Sequence, residues 1–325
     1  MKKVLGIGNA LVDIILFLEN DSLLNFFNLP KGSMQLVDLE KSVQVEKATG
    51  NLKKYMSSGG SAANTIHGLA RLGMETAFLG SVGSDEYGSF FNSDMIENNI
   101  KPLLISRPGE TGRAISLVSP GGERTFATFL GAATELDAND LHKELFEEYD
   151  HLHLEGYLVL NQQLVSSSMD FAKRNRMTVS LDLASYNIVE SHFGFLNSII
   201  KEYHPIVFAN EDEARAFTGS DDPGKALNII SEYSETVVVK TGDKGSLIAH
   251  KGNSYKVGII DVNCIDTTGA GDLYAAGFLF GLLNDLHPQL CGEAGALLAG
   301  KVIEEPGAKI PATTWNYILQ KIKTY

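Results

Sequence analysis

Cysteine is nearly missing from this chain: Cys264 and Cys291 are the only two in 325 residues, and no C-x-x-C pair occurs. That scarcity argues against a disulfide scaffold or a thiolate metal cluster and is what a reducing compartment favours. Cys264 reads as a small packing residue, the usual fate of a free cysteine. Basic residues are also few. The 27 Lys and Arg against 40 Asp and Glu give a formal charge of −13, with no basic run interleaved with aromatics, so no nucleic-acid partner is expected. No apolar run reaches the roughly 20 residues that span a bilayer. The opening MKKVLGIGNALVDIILF is interrupted by Asp13 and has no small-residue cleavage site after it. A soluble, cytoplasmic protein without a membrane partner is expected. Internal repeats, linkers and low-complexity segments are absent too.

What is present is a rhythm. Short apolar runs at VLGIG (4–8), TAFLGSVG (76–83), HLHLEG (151–156), TVSLDL (178–183), PIVFAN (205–210) and TVVVK (236–240) alternate with helical stretches such as SAANTIHGLARLG. Several are β-branched and continuous, as strands buried on both faces of a parallel sheet are. The alternation predicts an α/β fold with a doubly wound sheet. Residues 14–40 and 103–130 break it, and TGRAISLVSPGGERTFATF predicts a β-hairpin around Pro120, Gly121 and Gly122. We therefore expect one α/β domain over residues 1–325, carrying a discontinuous β lid formed from about 14–40 and 103–130.

The sharpest local signal is DTTGAGD at 266–272, directly before the apolar LYAAGFLFGLL. Capping needs only Asp272. It does not explain Thr267, Thr268, Gly269, Ala270 and Gly271, whose small size leaves a row of backbone N–H groups suited to phosphate oxygens. No Gly-Lys-Ser/Thr follows, so this is not a Walker loop. A carboxylate beside a phosphate site needs its own task, and taking the proton from an attacking hydroxyl is the one that fits.

Weaker signals surround it, each open to a plainer reading. GIGNALVD (6–13) lacks the third glycine of a dinucleotide turn, since Leu11 stands there, which sets aside a nicotinamide-dependent oxidoreductase. Asn9 and Asp13 just past a strand end are either loop polars or hydrogen-bond partners for sugar hydroxyls. Gly59, Gly60 and Asn64 in SSGGSAANTIHG form either a glycine hinge with a surface Asn or a close approach to a ligand. NEDE (210–213) is a capping box by itself, and beside a nucleotide it offers oxygen ligands to the waters of Mg²⁺. TGDKGS (241–246) is a hairpin turn, or a turn that brings Thr241 and its backbone to phosphates. Arg124 in GGERT is a solvated charge or a lid clamp on a transferring phosphoryl group.

Taken in order, GGSAANTIHGLARLG, NEDEA, KTGDKG and DTTGAGD spread over nearly the whole chain, and together they resemble the PfkB, ribokinase-like family of carbohydrate and nucleoside kinases. GNALVDI, KGSMQLVD and NEDEARAF are most similar to its adenosine kinase branch. The resemblance implies a three-layer α/β/α sandwich with a β lid, and ATP-dependent, Mg²⁺-assisted transfer of the γ-phosphoryl group to a primary hydroxyl of a nucleoside or sugar. It implies Asp272 as base, with Gly269, Ala270 and Gly271 as the anion hole and Arg124 contacting the phosphoryl group. It implies Asn210 and Glu213 organising the Mg²⁺ waters, Thr241, Gly242 and Gly245 at the nucleotide, and Asp266 beside a monovalent cation, K⁺. Asn9, Asp13, Gly59, Gly60 and Asn64 would hold the acceptor. Tyr157 would stack on its base, and Gln35 and Leu36 would line the same pocket. Arg113 and Ala114 depart from the animal adenosine kinase pattern, where small or neutral residues are expected. A sugar kinase for ribose, fructose or a keto-sugar acid stays open. A non-catalytic nucleotide or sugar sensor has no use for Asp272. A monomer, or a homodimer paired through lid strands, is expected.

Overall fold

The computed structural model describes residues 2–325. Among these residues fourteen strands form two sheets. In chain order they are β1 (Lys3–Ile7), β2 (Leu11–Phe17), β3 (Met34–Leu36), β4 (Lys54–Gly59), β5 (Glu75–Gly83), β6 (Ile100–Arg107) and β7 (Gly112–Val118). The remainder are β8 (Arg124–Phe129), β9 (His151–Glu155), β10 (Thr178–Asp182), β11 (Ile206–Asn210), β12 (Thr236–Lys240), β13 (Ser246–His250) and β14 (Asn253–Val257). The large sheet runs β14-β13-β12-β11-β10-β9-β1-β5-β6 and is parallel except at β13 and β14. Alternate residues of its strands feed two separate cores. Val4, Phe208 and Val238 join the helices Ser61–Arg71 and Ala270–Leu283 on one face, while Leu5, Val207 and Val237 pack with Leu164, Leu196 and Ile230 on the other. Burial on both faces is why these strands read as unbroken apolar runs.

One polar column interrupts this interior. His151 Nδ1 lies 2.7 Å from Thr178 Oγ1 and its Nε2 2.8 Å from Ser180 Oγ, which in turn lies 2.8 Å from His153 Nδ1. Burial pushes the two imidazoles down to about 3 and about 4, so both are neutral at physiological pH.

The smaller sheet has the order β3-β8-β7-β2-β4, with β7 and β8 forming the expected antiparallel hairpin. Its composition differs from the sequence reading in three places. Asp13 sits inside β2 rather than in a loop, because Leu11–Phe17 is a strand paired on both sides. Residues 54–59 supply an edge strand; KYMSSG hides it because it has neither alternation nor β-branched residues. Residues 103–107 belong to the large sheet, since β6 stays in register with β5 as far as Gly83 opposite Arg107. Among the described residues no helix is long and apolar enough to cross a membrane.

Candidate active site

The Ala270–Leu283 helix starts where Gly269, at φ +75°, turns the chain in a conformation costly for any side chain. Asp272 lies in its first turn and does not face open solvent. Its carboxylate accepts from Ser61 Oγ at 2.7 Å and from Asn64 Nδ2 at 2.9 Å, while Thr65 Oγ1 donates to its carbonyl. Ser61, Asn64 and Thr65 all come from the start of the Ser61–Arg71 helix, so two helix N-termini converge on one carboxylate. Burial raises that carboxyl to about 6, against the pull of the Asn64 and Ser61 hydrogen bonds.

A cavity of about 840 Å³ opens from Asp272. Asn9, Asp13, Gly60, Asn64, Glu155, Asp182, Asn210, Glu213 and Lys240 are among its polar lining. Gly60, at φ +97°, brings its backbone so near Asn9 that a Cβ would sit 2.1 Å from the Asn9 carbonyl oxygen. Gly59 backs directly onto the Asp13 carboxylate and is not itself on the cavity wall. Burial raises Asp13 to about 6, with Lys309 pulling the other way. Glu155 fixes Asn9, accepting from its N at 3.0 Å and its Nδ2 at 2.6 Å, and also accepts from Ala62 N at 2.9 Å. Burial pushes Glu155 to about 7.

Apolar side chains share the walls, Leu11, Met34, Leu36, Ala114, Leu158 and Tyr157 among them, and Ala114 stands directly across from Asp13 in the β2–β7 pair. Two expectations are corrected here by the alternation of a strand. On β3, Met34 and Leu36 face the cavity while Gln35 turns away and hydrogen-bonds Ser33 Oγ. On β7, Ala114 faces it while Arg113 is buried on the opposite side, paired with Glu110 at 2.7 Å and lying over the Tyr87 and Phe129 rings.

A second cavity of about 450 Å³ lies across the same helix start, lined by Gly242, Gly245, Gly258, Ile260, Ala296, Ala299 and Gly300 among others. Lys240 and Gly271 line both cavities. Thr241 lines neither, because its side chain is buried beneath the β12–β13 turn, which its N–H closes onto Gly245 O at 2.8 Å. Cys264 is exposed and borders the smaller cavity, so it is not a packing residue; the 258–268 segment that carries it forms no helix or strand.

Asn210 and Glu213 make the capping box in full. Asn210 Oδ1 accepts from Glu213 N at 2.9 Å, and the Glu213 carboxylate accepts from Asn210 N at 2.8 Å and Nδ2 at 2.6 Å. Burial, and then Asp182, raise Glu213 to about 7. Arg124 is not solvated. Its Nη1 lies 2.8 Å from Asp266 Oδ2, tying the hairpin to the DTTGAGD segment. Asp266 also accepts from Gly307 N, Thr268 N and Thr268 Oγ1.

Four contributors escape sequence reading: Ser61, Glu155, Asp182 and Lys240. Glu155 and Asp182 each end a strand at the carboxyl edge of the sheet, where ligands of open α/β folds bind. That position was the available signal.

The pfkB family carbohydrate kinase model matches residues 33–315. A probable sugar kinase from Rhizobium etli superposes with a TM-score of 0.90 at 30% identity, covering 100% of this chain and 99% of that one. An adenosine kinase from Sinorhizobium meliloti superposes with a TM-score of 0.87 at 30% identity, covering 98% and 99%. Among curated sequences, the 5-dehydro-2-deoxygluconokinase of Geobacillus thermodenitrificans is 29% identical over 287 residues, covering 83% of this chain and 85% of that protein.

Proposed function

The chain belongs to the pfkB family of carbohydrate kinases and is a phosphotransferase of the sugar or nucleoside kinase kind; from that premise we propose that it transfers the γ-phosphoryl group of ATP to a primary hydroxyl of an adenosine-like nucleoside. The observation that carries the reading is Asp272, a carboxylate held near pKa 6 by burial at a helix start where two cavities meet. A base with that pKa is ionised at neutral pH and still able to take a proton. Asp272 accepts the hydroxyl proton as the acceptor oxygen attacks. The N–H groups of Gly269, Ala270 and Gly271 are the donors assigned to the phosphoryl oxygens, the Ala270 N–H first leaving Thr267 O, to which it donates at 3.2 Å. Asp13, Asn64, Gly60 and Asn9 hold the acceptor hydroxyls, with Glu155 orienting Asn9. Residues 11–17, 34–36, 54–59, 112–118 and 124–129 act as the lid over the acceptor, and Arg124 reaches the phosphoryl group only on leaving Asp266.

Glu213 and Asn210, whose oxygens are engaged with each other in the capping box, would accept hydrogen bonds from the waters of Mg²⁺ through their remaining lone pairs, and the raised carboxyl of Glu213 is one that a divalent cation nearby would hold ionised. When bound, Mg²⁺ neutralises phosphate charge. A monovalent cation fits less well at Asp266, whose oxygens are already taken by Arg124, Gly307 and Thr268.

The apolar walls favour a nucleoside over a free sugar, because a base gives Tyr157, Leu36 and Met34 a flat face to cover. Arg113 is turned away from these walls and brings no positive charge to them. A sugar acid of the kind named for the Geobacillus relative needs a cation, and Lys240 is the only one among the described residues lining the cavity. The test is a panel of ATP consumption with adenosine, other nucleosides, ribose, fructose and 5-dehydro-2-deoxygluconate. Fast turnover of a sugar with nucleosides inert would replace the nucleoside by that sugar.

A further inference from the structure

Lys240, the last residue of β12, is the one cationic side chain among the described residues that line either cavity, and it lines both. Its Nζ lies 2.9 Å from Asp182 Oδ2. A Cβ built on Gly271 would come within 3.0 Å of the same Nζ, so the ammonium rests against the bare backbone at the helix start. We propose that Lys240 is a catalytic cation of the transfer, released from Asp182 when a triphosphate enters and contacting the phosphoryl group as it passes between the cavities. The proposal rests on the kinase reading above.

Charge accounting supports it. Asp182, Glu213 and Asp272 all lie near Lys240, and the fields of all three are felt at its ammonium. Burial alone would lower the Lys240 pKa, but these carboxylates more than offset it, and the side chain stays charged. Phosphoryl oxygens brought next to Asp272 meet a carboxylate, while a helix start supplies only about half a unit of positive charge. A full ammonium at Gly271 offsets that repulsion where charge builds up. In the step, the bond from the γ-phosphorus to the β-phosphate oxygen breaks and a bond to the acceptor oxygen forms. The hydroxyl proton passes to Asp272, ADP leaves, and Lys240 keeps its protons throughout. Gly271, which shares both cavities with it, has no side chain to block the contact.

The test uses the full chain with whichever acceptor of the panel wild type phosphorylates. Lys240→Met should lower kcat by about a hundredfold or more, the order seen when one transition-state contact is removed, and Lys240→Arg should recover to within roughly tenfold of wild type. Removing the lysine also strands Asp182 as a buried charge, which can destabilise the fold. The double variant Asp182→Asn with Lys240→Met removes that charge and should restore the melting temperature but not kcat. A Lys240→Met enzyme within threefold of wild type, a folded Lys240→Arg as slow as Lys240→Met, or a double variant with restored kcat would each overturn the proposal and leave the kinase reading standing. A wild-type chain inert towards every acceptor would overturn both.

Discussion

The two cavities that meet at Gly271 are made of opposite materials. The larger collects buried carboxylates, with Asp13 and Asp272 raised to about 6 and Glu155 and Glu213 to about 7. The smaller is walled largely by glycine, alanine and isoleucine, with Lys240, Asp243 and Asp261 its charged lining residues. A site that must tell one set of hydroxyls from another needs directional side chains. One that accepts a flat base and a phosphate chain can rely on shape and N–H groups. On the function proposed above, the acceptor takes the larger cavity and ATP the smaller, and the transfer crosses the wall between them.

The comparison breaks most sharply at Asp272. Asp272→Asn should cut turnover by about a hundredfold to ten-thousandfold while ATP affinity, read by calorimetry, stays near wild type. Wild-type kcat/KM should also decline in acid with an apparent pKa near 6, as the base takes up its proton. Turnover of the variant within threefold of wild type would remove Asp272 from the role. Across the wall, Ala296→Phe fills the smaller cavity and should raise the KM for ATP about tenfold or more with kcat little changed; an unchanged KM would place the nucleotide elsewhere. Tyr157→Ala should reduce the specificity constant roughly three- to tenfold for nucleosides alone, the scale of a lost aromatic contact. An equal loss with sugars would mean that Tyr157 shapes the cavity without stacking.

Two smaller effects sharpen the contrast. Glu213→Gln keeps an amide able to serve the capping box, so the melting temperature should hold while the Mg²⁺ concentration for half-maximal activity rises; a cap alone is worth about 1 kcal/mol and is indifferent to Mg²⁺. Stability should also move with pH at Asp272. Its folded pKa is raised above the ordinary 3.8 of an Asp, so the favourable contribution is full below about pH 4 and is lost as pH rises through about 6. Asp272→Asn should therefore melt higher than wild type at pH 8, and the gain should shrink on approaching pH 5. A gain independent of pH would point to packing instead of charge.

The sequence disclosed the two regions unequally. Strands buried on both faces are visible as unbroken runs, and DTTGAGD is visible because small residues before an apolar helix contradict propensity unless a ligand uses the backbone. Gln35 and Arg113 were misplaced for a shared reason: which face of a strand a side chain takes depends on pairing, and a one-residue difference reverses it. Lys240 and Asp182 look like ordinary strand ends, and Glu155 like the close of an alternating strand. Their importance comes from neighbours 58 and 146 positions away, Lys240 against Asp182 and Glu155 against Asn9. The smaller cavity was legible only in part: TGDKGS and DTTGAGD point to Gly242, Gly245, Ala270 and Gly271, whereas Gly258, Ala296, Ala299 and Gly300 carry no pattern until the fold brings them together.

The histidine and serine column between β9 and β10 bears on how the chain finds this fold. These strands are parallel and joined by a long crossover, so no tight turn sets their alignment. Shifting β10 by one residue against β9 would exchange Ser180 for Val179 or Leu181 opposite His153 and strand two imidazoles without partners among hydrocarbon. The column thus works as a key cut for a single lock: it favours the one register in which the strand ends carrying Glu155 and Asp182 lie side by side.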